Sequence, residues 1–150
     1  MNSRLQHYFL NILSKRDYSE KILRDKAAEK NYLNNDVDEV MSWLKELKYV
    51  DDNKYAEHVV QQYNGKKGYQ WIAQKLRMKG VSDHIISEAF SQNPSIVDDR
   101  LKKQIELKYN IQSWQNVEPN TVQKIAAFLA RRGFASVWET IQQWRNTEDN

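Results

Sequence analysis

The same order of polar and apolar positions occurs three times along the chain. Each copy opens with a residue that favours a helix N-terminus. It closes twelve residues later with a residue that favours the left-handed backbone just past a helix C-terminus, the C′ position. The copies run from Ser19 to Asn31, from Gly68 to Gly80 and from Thr121 to Gly133. The pattern therefore predicts one helix that is repeated at intervals of 49 and 53 residues.

The positions inside the three copies also agree. Two apolar residues stand eight and four positions before the C′ residue, a basic residue stands directly before it, and an apolar residue follows it. In chain order these are Leu23, Ala27, Lys30 and Tyr32; Ile72, Leu76, Lys79 and Val81; and Ile125, Leu129, Arg132 and Phe134. An apolar spacing of four residues is typical of the buried side of an amphipathic helix.

Another amphipathic helix is predicted before and after each repeated helix. Apolar residues follow the i, i+3, i+4, i+7 spacing in segments such as 5–13 and 37–47, and the alternation typical of strands is absent from the sequence. We therefore predict an all-α chain of three tandem three-helix repeats, at 1–50, 51–97 and 98–150. A repeat of roughly 50 residues is near the lower size limit for independent stability, so the repeats should pack into an elongated, curved array.

Residues between the predicted helices support this division. The acidic pairs Asp51-Asp52 and Asp98-Asp99 stand just before the first helices of the second and third repeats, where carboxylates can accept hydrogen bonds from free backbone amides. Pro94 and Pro119 fall between predicted helices, where a missing N–H donor costs little. Capping is thus the expected role of both acidic pairs.

Composition limits the class of protein. The chain has 150 residues, 40% of them hydrophobic, and contains no cysteine. Its longest apolar run, 125–130, is too short to cross a bilayer, and residues 1–4 do not open a secretory signal. We expect a cytoplasmic protein without disulfides or a membrane span.

Basic residues are concentrated in two stretches that contain no acid. Residues 65–80 hold five of them and residues 120–134 hold three. The acids collect elsewhere, for example in the segment 36–39. Such segregation favours basic faces that meet phosphate groups or an acidic protein surface, although the same side chains could simply be hydrated on exposed helix faces.

Nothing in the sequence favours a catalytic, metal or cofactor site. His7, His58 and His84 are scattered without the spacing of metal ligands. The segment 65–68, Gly-Lys-Lys-Gly, lacks the spacing and the ending of a phosphate-binding loop. The prediction is a protein that is not an enzyme and needs no cofactor.

Most aromatic residues fall on predicted apolar faces and are expected in the core. Tyr69 and Trp71 are the exceptions, because they lie beside Lys66, Lys67 and Lys75. Either ring could contact a partner, since aromatic rings beside basic residues are found in proteins that bind single strands.

The segment 49–56 resembles a family signature. Tyr49-Val50-Asp51-Asp52, followed by Lys54-Tyr55-Ala56, is similar to the hydrophobic-Asp-Asp-x-x-aromatic-Ala signature of the RecX family. The resemblance extends roughly from Leu5 to Trp144. Its further matches are Tyr18-Ser19-Glu20 with Leu23, Gly65-Lys66-Lys67-Gly68, Ile72, Leu76 and Lys79-Gly80-Val81. Two positions depart from the family pattern: Asn31 replaces the usual glycine and Tyr55 replaces a common phenylalanine.

The resemblance implies a regulator of the bacterial recombinase RecA, with roles in homologous recombination, DNA repair and the SOS response. Proteins of this family are understood to bind in the helical groove of the RecA–single-stranded DNA filament. They inhibit ATP hydrolysis, strand exchange and co-protease activity. The resemblance also implies an all-helical array of three-helix repeats.

Basic residues of the repeated helices are the predicted contacts with such a filament. They are Lys66, Lys67, Lys75, Arg77, Lys79, Arg131, Arg132, Lys26 and Lys30. We also expect weak binding to single- or double-stranded DNA, and a monomeric chain. Two alternatives stay open: a DNA-binding helical repeat protein without a dedicated protein partner, and a scaffold for acidic proteins.

Overall fold

The structure of the protein, a computed structural model, describes residues 1–91 and 93–147. Over these ranges the chain is helical, with one isolated β-bridge and no named strand, which confirms the all-α prediction. The helices are α1 (Ser3–Leu13), α2 (Glu20–Glu29), α3 (Asn34–Glu46), α4 (Asp52–Tyr63), α5 (Tyr69–Met78), α6 (Asp83–Ser91), α7 (Asp99–Lys108), α8 (Pro119–Arg131) and α9 (Val137–Thr147), with a 3₁₀ turn at Trp114–Asn116. None of the helices in these ranges is long and apolar enough to span a membrane.

The three predicted C′ residues have the left-handed backbone that the pattern requires. Their φ angles are 63° at Asn31, 80° at Gly80 and 90° at Gly133. After each of them, the N–H of the apolar residue donates to the carbonyl of the residue four positions before the C′ residue. These bonds, each 3.1 Å, are Tyr32 to Ala27, Val81 to Leu76 and Phe134 to Leu129. This is the Schellman motif. It explains why a C′ residue followed by an apolar residue occurs in all three copies.

Most of the predicted helix starts are confirmed. The Ser19 hydroxyl accepts from the N–H of Ile22 at the start of α2, and Asp98 accepts from the N–H of Leu101 at the start of α7. The Asp51 carboxylate likewise accepts from two N–H groups in the first turn of α4. These bonds satisfy amide groups that have no partner within the helix.

The predicted start of α8 is wrong. This helix begins at Pro119 rather than after Thr121, which lies in its first turn. Proline is well suited to the first helical position, because its φ is already helical and its missing N–H would have no partner there. Pro119 therefore belongs to the helix, whereas we predicted it to lie between helices.

The chain divides into two compact units. Unit 1 combines Met1–Val59 with Lys75–Ala89, and unit 2 combines Val60–Gln74 with Phe90–Asn150. The division falls within α4, α5 and α6, the three helices of the predicted second repeat. The boundaries of the three predicted repeats stay a prediction.

Each unit has its own apolar core. The core of unit 1 includes Leu5, Phe9, Leu23, Val40 and Leu44, all without exposed surface. Burial of such side chains supplies most of the stability of short helices.

The core of unit 2 is built around Trp114, which is fully buried in the 3₁₀ turn. Its indole N–H donates to Glu106, and Arg145 donates to the carbonyls of Trp114 and Val117 at 3.2 and 3.0 Å. These bonds hold the connection between α7 and α8 in place.

Candidate functional site at two helix junctions

In unit 1 the start of α2 is joined to the end of α5, and we call this contact the first junction. The Ser19 hydroxyl, which is fully buried, donates to the carbonyl of Lys79 at 2.5 Å. The next N–H, that of Glu20, donates to the Asp52 carboxylate at 3.0 Å. These bonds connect residues that are 60 and 32 positions apart in the sequence.

In unit 2 the start of α5 is joined to the end of α8, and we call this contact the second junction. The N–H of Gly68 donates to the carbonyl of Arg132 at 2.8 Å. The next N–H, that of Tyr69, donates to the Ser95 hydroxyl at 2.9 Å. In both junctions the residue before one repeated helix, Ser19 or Gly68, donates to a carbonyl at the end of the next repeated helix. That carbonyl belongs to the residue directly before the C′ glycine.

The second junction brings four predicted contact residues together. Arg132 contacts the carbonyl of Lys66 through Nη1 at 3.5 Å, and Arg131 and Lys67 are the neighbours of these two residues in the chain. Lys66 and Arg131 are exposed, whereas Lys67 and Arg132 are half-buried. None of the four forms an ion pair with an acid in the described ranges. The result is a local excess of positive charge.

Aromatic rings hold two of these four cations. The Lys67 ammonium lies 4.9 Å from the centroid of the Trp71 ring, and the Arg132 guanidinium lies 4.6 Å from that of Phe128. Trp71 is half-buried and also packs against Tyr63, with ring centroids 4.8 Å apart. A ring attracts a cation through its quadrupole without cancelling the charge.

The remaining five predicted residues belong to unit 1, and one of them, Arg77, has an acid partner. Arg77 donates through Nε to Asp83 at 2.8 Å, which partly neutralises its charge. Lys26 and Lys30 lie over the rings of Tyr18 and Tyr8, at 5.3 and 4.7 Å from their centroids. The other two residues, Lys75 and Lys79, are half-buried.

The two units differ in net charge. Unit 1 contains 13 basic and 13 acidic residues, and unit 2 contains 10 basic and 7 acidic residues, so the formal charge of +3 belongs to unit 2. Ion pairs in the described part of the chain lie in unit 1, for example Arg24 with both Glu20 and Asp38. The hydrogen bond to Asp38 is the main cause that raises the pKa of Arg24. Unit 2 is therefore the better candidate for binding a polyanion.

Known proteins are similar to this chain in sequence and in fold. Residues 51–89 match the family model for the second three-helix domain of RecX. The regulatory protein RecX of Haemophilus influenzae (strain PittEE) is 33% identical over 143 residues, which cover 91% of this chain and 90% of that protein. The chain belongs to the RecX family.

Further relatives agree with this assignment to the RecX family. The regulatory protein RecX of Vibrio vulnificus (strain CMCP6) is 32% identical over 127 residues, which cover 84% of this chain and 82% of that protein. A crystal structure of regulatory protein RecX has a TM-score of 0.76 and 27% identity, and the match covers 94% of this chain and 72% of that chain. The crystal structure of RecX from Lactobacillus salivarius has the same fold, with a TM-score of 0.80 and 24% identity over 97% of this chain and 96% of that chain.

Sequence reasoning missed two features of this RecX-family chain. Asp52 was expected to cap the helix that follows it, but its carboxylate reaches the N–H of Glu20 at the start of α2. Lys108 was absent from the predicted set, yet its ammonium lies 4.8 Å from the centroid of the Phe128 ring. The only sequence signal for Lys108 is a basic residue at the C-terminus of a helix, which is too common to identify a site.

Groups suited to a metal ion are absent from the described ranges: no three His, Cys, Asp or Glu residues come together there. Tyr69, the other ring expected near a partner, is half-buried and packs against Phe90, with ring centroids 4.8 Å apart. The candidate site is therefore a surface of basic groups around the second junction.

Proposed function

We propose that this RecX-family chain regulates the recombinase RecA by binding the RecA–single-stranded DNA filament. Binding inhibits ATP hydrolysis, strand exchange and co-protease activity. Support comes from membership of a family of regulatory proteins and from one structural observation. Lys66, Lys67, Arg131 and Arg132 lie around one junction without an acid partner among the described residues.

These four residues supply most of the electrostatic attraction to the filament in this proposal. A filament of recombinase and single-stranded DNA carries phosphates, and unpaired cations gain more from phosphate than cations already paired with carboxylates. Arg77, paired with Asp83, contributes less than the other predicted residues. Lys26, Lys30, Lys75 and Lys79 add weaker contacts, because the basic and acidic residues of unit 1 are equal in number. The chain acts as a monomer in the cytoplasm.

The test is single-stranded-DNA-dependent ATP hydrolysis by the cognate recombinase, titrated with this protein well below one copy per recombinase subunit. We expect inhibition at concentrations too low to cover the DNA. Inhibition that begins only when the protein saturates free DNA would contradict a filament regulator.

Two matched sets of substitutions separate the units. Alanine at Lys66, Lys67, Arg131 and Arg132 should weaken inhibition roughly tenfold or more, because up to four phosphate contacts are lost. Alanine at Lys26, Lys30, Lys75 and Lys79 removes the same charge from unit 1 and should weaken inhibition less. Circular dichroism checks that both variants keep their helices. Equal inhibition by both variants contradicts the assignment to the second junction.

A second candidate is a DNA-binding helical repeat protein without a dedicated protein partner. The same unpaired cations favour it, because phosphate contacts do not require a recombinase. The two candidates differ in stoichiometry: simple competition for DNA requires enough protein to cover the strand, whereas a filament regulator acts at lower ratios.

A further inference from the structure

One face of α8 continues the basic surface beyond the second junction. Lys124, Phe128 and Arg132 are spaced by four residues, so they lie along the same side of this helix and its C-terminal cap. The Phe128 ring carries two cations, with the Lys108 ammonium 4.8 Å and the Arg132 guanidinium 4.6 Å from its centroid. These two distances place the charges no more than about 9.4 Å apart.

The two cations repel each other, and neither forms an ion pair with an acid within the described ranges. A separation below about 10 Å is within the Debye length at 0.1 M salt, so solvent ions do not fully screen the repulsion. Arg24 in unit 1 shows the contrasting arrangement, since two carboxylates surround its guanidinium. An anion that contacts both Lys108 and Arg132 would reduce the repulsion.

Both cations also keep hydrogen-bond donors for a ligand. A ring face attracts a cation but does not use its N–H groups as a carboxylate does. Arg132 has one described bond, to the Lys66 carbonyl, out of five donors. Lys108 is exposed and lies next to the Tyr109 ring as well, 5.4 Å from its centroid.

We propose that Lys108, Phe128 and Arg132 form a binding site for backbone phosphates of single-stranded DNA. The site continues across the second junction to Lys66 and Lys67. Arg132 receives a phosphate through the fork of its guanidinium, Lys108 adds a compact charge, and Phe128 is a positioning residue that holds both. This inference rests on the proposed function and deepens it, because it adds Lys108 and Phe128 to the surface and assigns that surface to the single strand of the filament.

The alternation of rings and cations favours a nucleic acid over an acidic protein. Lys67 lies on Trp71, Arg132 and Lys108 lie on Phe128, and Lys108 also lies on Tyr109. Basic groups that follow the backbone beside aromatic groups are the arrangement by which proteins bind single strands without sequence preference.

The experiment measures binding of the full chain to a labelled oligothymidylate of about 20 nucleotides, without recombinase, over a series of salt concentrations. Lys108→Ala should lower affinity about 3- to 10-fold and reduce the salt slope by about 0.7, the value for one lost phosphate contact on a single strand. Lys103→Ala is the matched control. Lys103 lies on the same helix as Lys108 and is exposed. It shares a helix face with Leu107, which is four residues away and 82% exposed, so this face points to solvent. Lys103→Ala should leave affinity and slope close to those of the unmodified chain.

Phe128→Leu tests the ring separately, because it removes the aromatic face and leaves the net charge unchanged. We expect weaker DNA binding with a nearly unchanged salt slope, and circular dichroism and thermal melting identify any loss of fold. If Lys108→Ala binds the strand like Lys103→Ala, the site is overturned.

The recombinase assay keeps the two proposals apart. If Lys108→Ala loses inhibition of the recombinase but keeps its DNA affinity, this surface contacts protein, so the DNA site is wrong and the regulatory function stands. If Lys108→Ala loses DNA affinity as expected while the unmodified chain inhibits only by covering DNA, the site stands and the regulatory function fails.

Discussion

In unit 1 the first junction is made through a serine side chain, whereas in unit 2 the second junction is made through the backbone. Ser19 uses its hydroxyl to reach the carbonyl of Lys79, and Gly68 uses its own N–H to reach the carbonyl of Arg132. The difference lies in how closely the backbones approach. A Cβ built on Gly68 would lie 2.2 Å from the carbonyl carbon and oxygen of Gly133, closer than real contacts allow.

The two positions are equivalent in the repeat but have different requirements. At Ser19 a side chain is needed, because its hydroxyl replaces a backbone donor. At Gly68 any side chain is excluded, because the opposing atoms belong to the backbone and cannot rotate away. Serine and glycine both favour helix N-termini, but at these two positions they are required for different reasons: a hydroxyl donor at Ser19 and a close backbone contact at Gly68.

Gly68→Ala should produce the largest loss of stability. Its methyl group would force the backbones of the second junction apart, and overpacking of this kind typically costs about 1–3 kcal/mol or more. We expect a loss of about 3 kcal/mol in the free energy of unfolding, measured by urea denaturation. A loss below about 0.5 kcal/mol would mean that the second junction is looser than the structure shows.

The C′ residues provide the next comparison. Gly133→Ala should cost about 2–3 kcal/mol, because φ is 90° and the new methyl group would lie 2.5 Å from the backbone nitrogen of Trp71. Gly80→Ala should cost a similar amount, about 2–3 kcal/mol, because φ is 80° and the new methyl group would lie 2.4 Å from the Cβ of Lys21, an atom that cannot rotate away. Urea denaturation of the two variants measures both losses. A loss below about 1 kcal/mol at either glycine would contradict the close packing at these positions.

Asn31 is the matched control for both glycines. Its φ of 63° is left-handed too, but its side chain is exposed. Asn31→Gly should change stability by less than about 0.5 kcal/mol. Exposure also explains why this position departs from the glycine that is usual in the family, since asparagine tolerates the left-handed backbone where nothing limits its Cβ.

The sequence predicted the helices and their ends well because these depend on nearby residues. A Schellman motif needs only a C′ glycine or asparagine and the apolar positions around it, all within six residues. The start of α8 differs from the prediction because the twelve-residue distance from Gly133 points to Thr121, whereas Pro119 favours the first helical position.

The candidate site was predictable only in part. The predicted basic residues are visible in the sequence, and four of them, Lys66, Lys67, Arg131 and Arg132, lie around the second junction. The pairing of Arg77 with an acid is not visible in the same way, because its partner Asp83 lies beyond the acid-free stretch. The contact of Lys108 with Phe128 joins two helices, and no local pattern encodes it.

Ser19→Ala should cost about 1–2 kcal/mol, less than Gly68→Ala. It removes the cap of α2 and also leaves the Lys79 carbonyl without its hydroxyl donor. Ser82→Ala is the control, since the exposed Ser82 hydroxyl caps α6 through the N–H of Ile85. Urea denaturation should show a larger loss for Ser19→Ala than for the control. Equal losses would mean that the hydroxyl serves only as a cap.

The smallest expected effect concerns pH, which should act on the first junction alone. The N–H of Glu20 donates to the Asp52 carboxylate, whereas the corresponding N–H of Tyr69 donates to the Ser95 hydroxyl, which does not titrate. Burial raises the pKa of Asp52 above its ordinary value of 3.8, outweighing the bond from Glu20 that lowers it. The folded chain therefore holds this proton more tightly than the unfolded chain.

The contribution of Asp52 to stability is consequently fully present below pH 3.8 and is lost as pH rises through the raised pKa. Asp52→Asn keeps an oxygen acceptor for Glu20 and cannot ionise. The stability of the unmodified chain relative to Asp52→Asn should thus fall as pH rises from about 3 to 6, in urea denaturation at each pH. Ser95→Ala, the control at the second junction, should differ from the unmodified chain by the same amount at every pH. A constant difference for Asp52→Asn would show that burial does not change the proton affinity of Asp52, and the two junctions would then respond to acid alike.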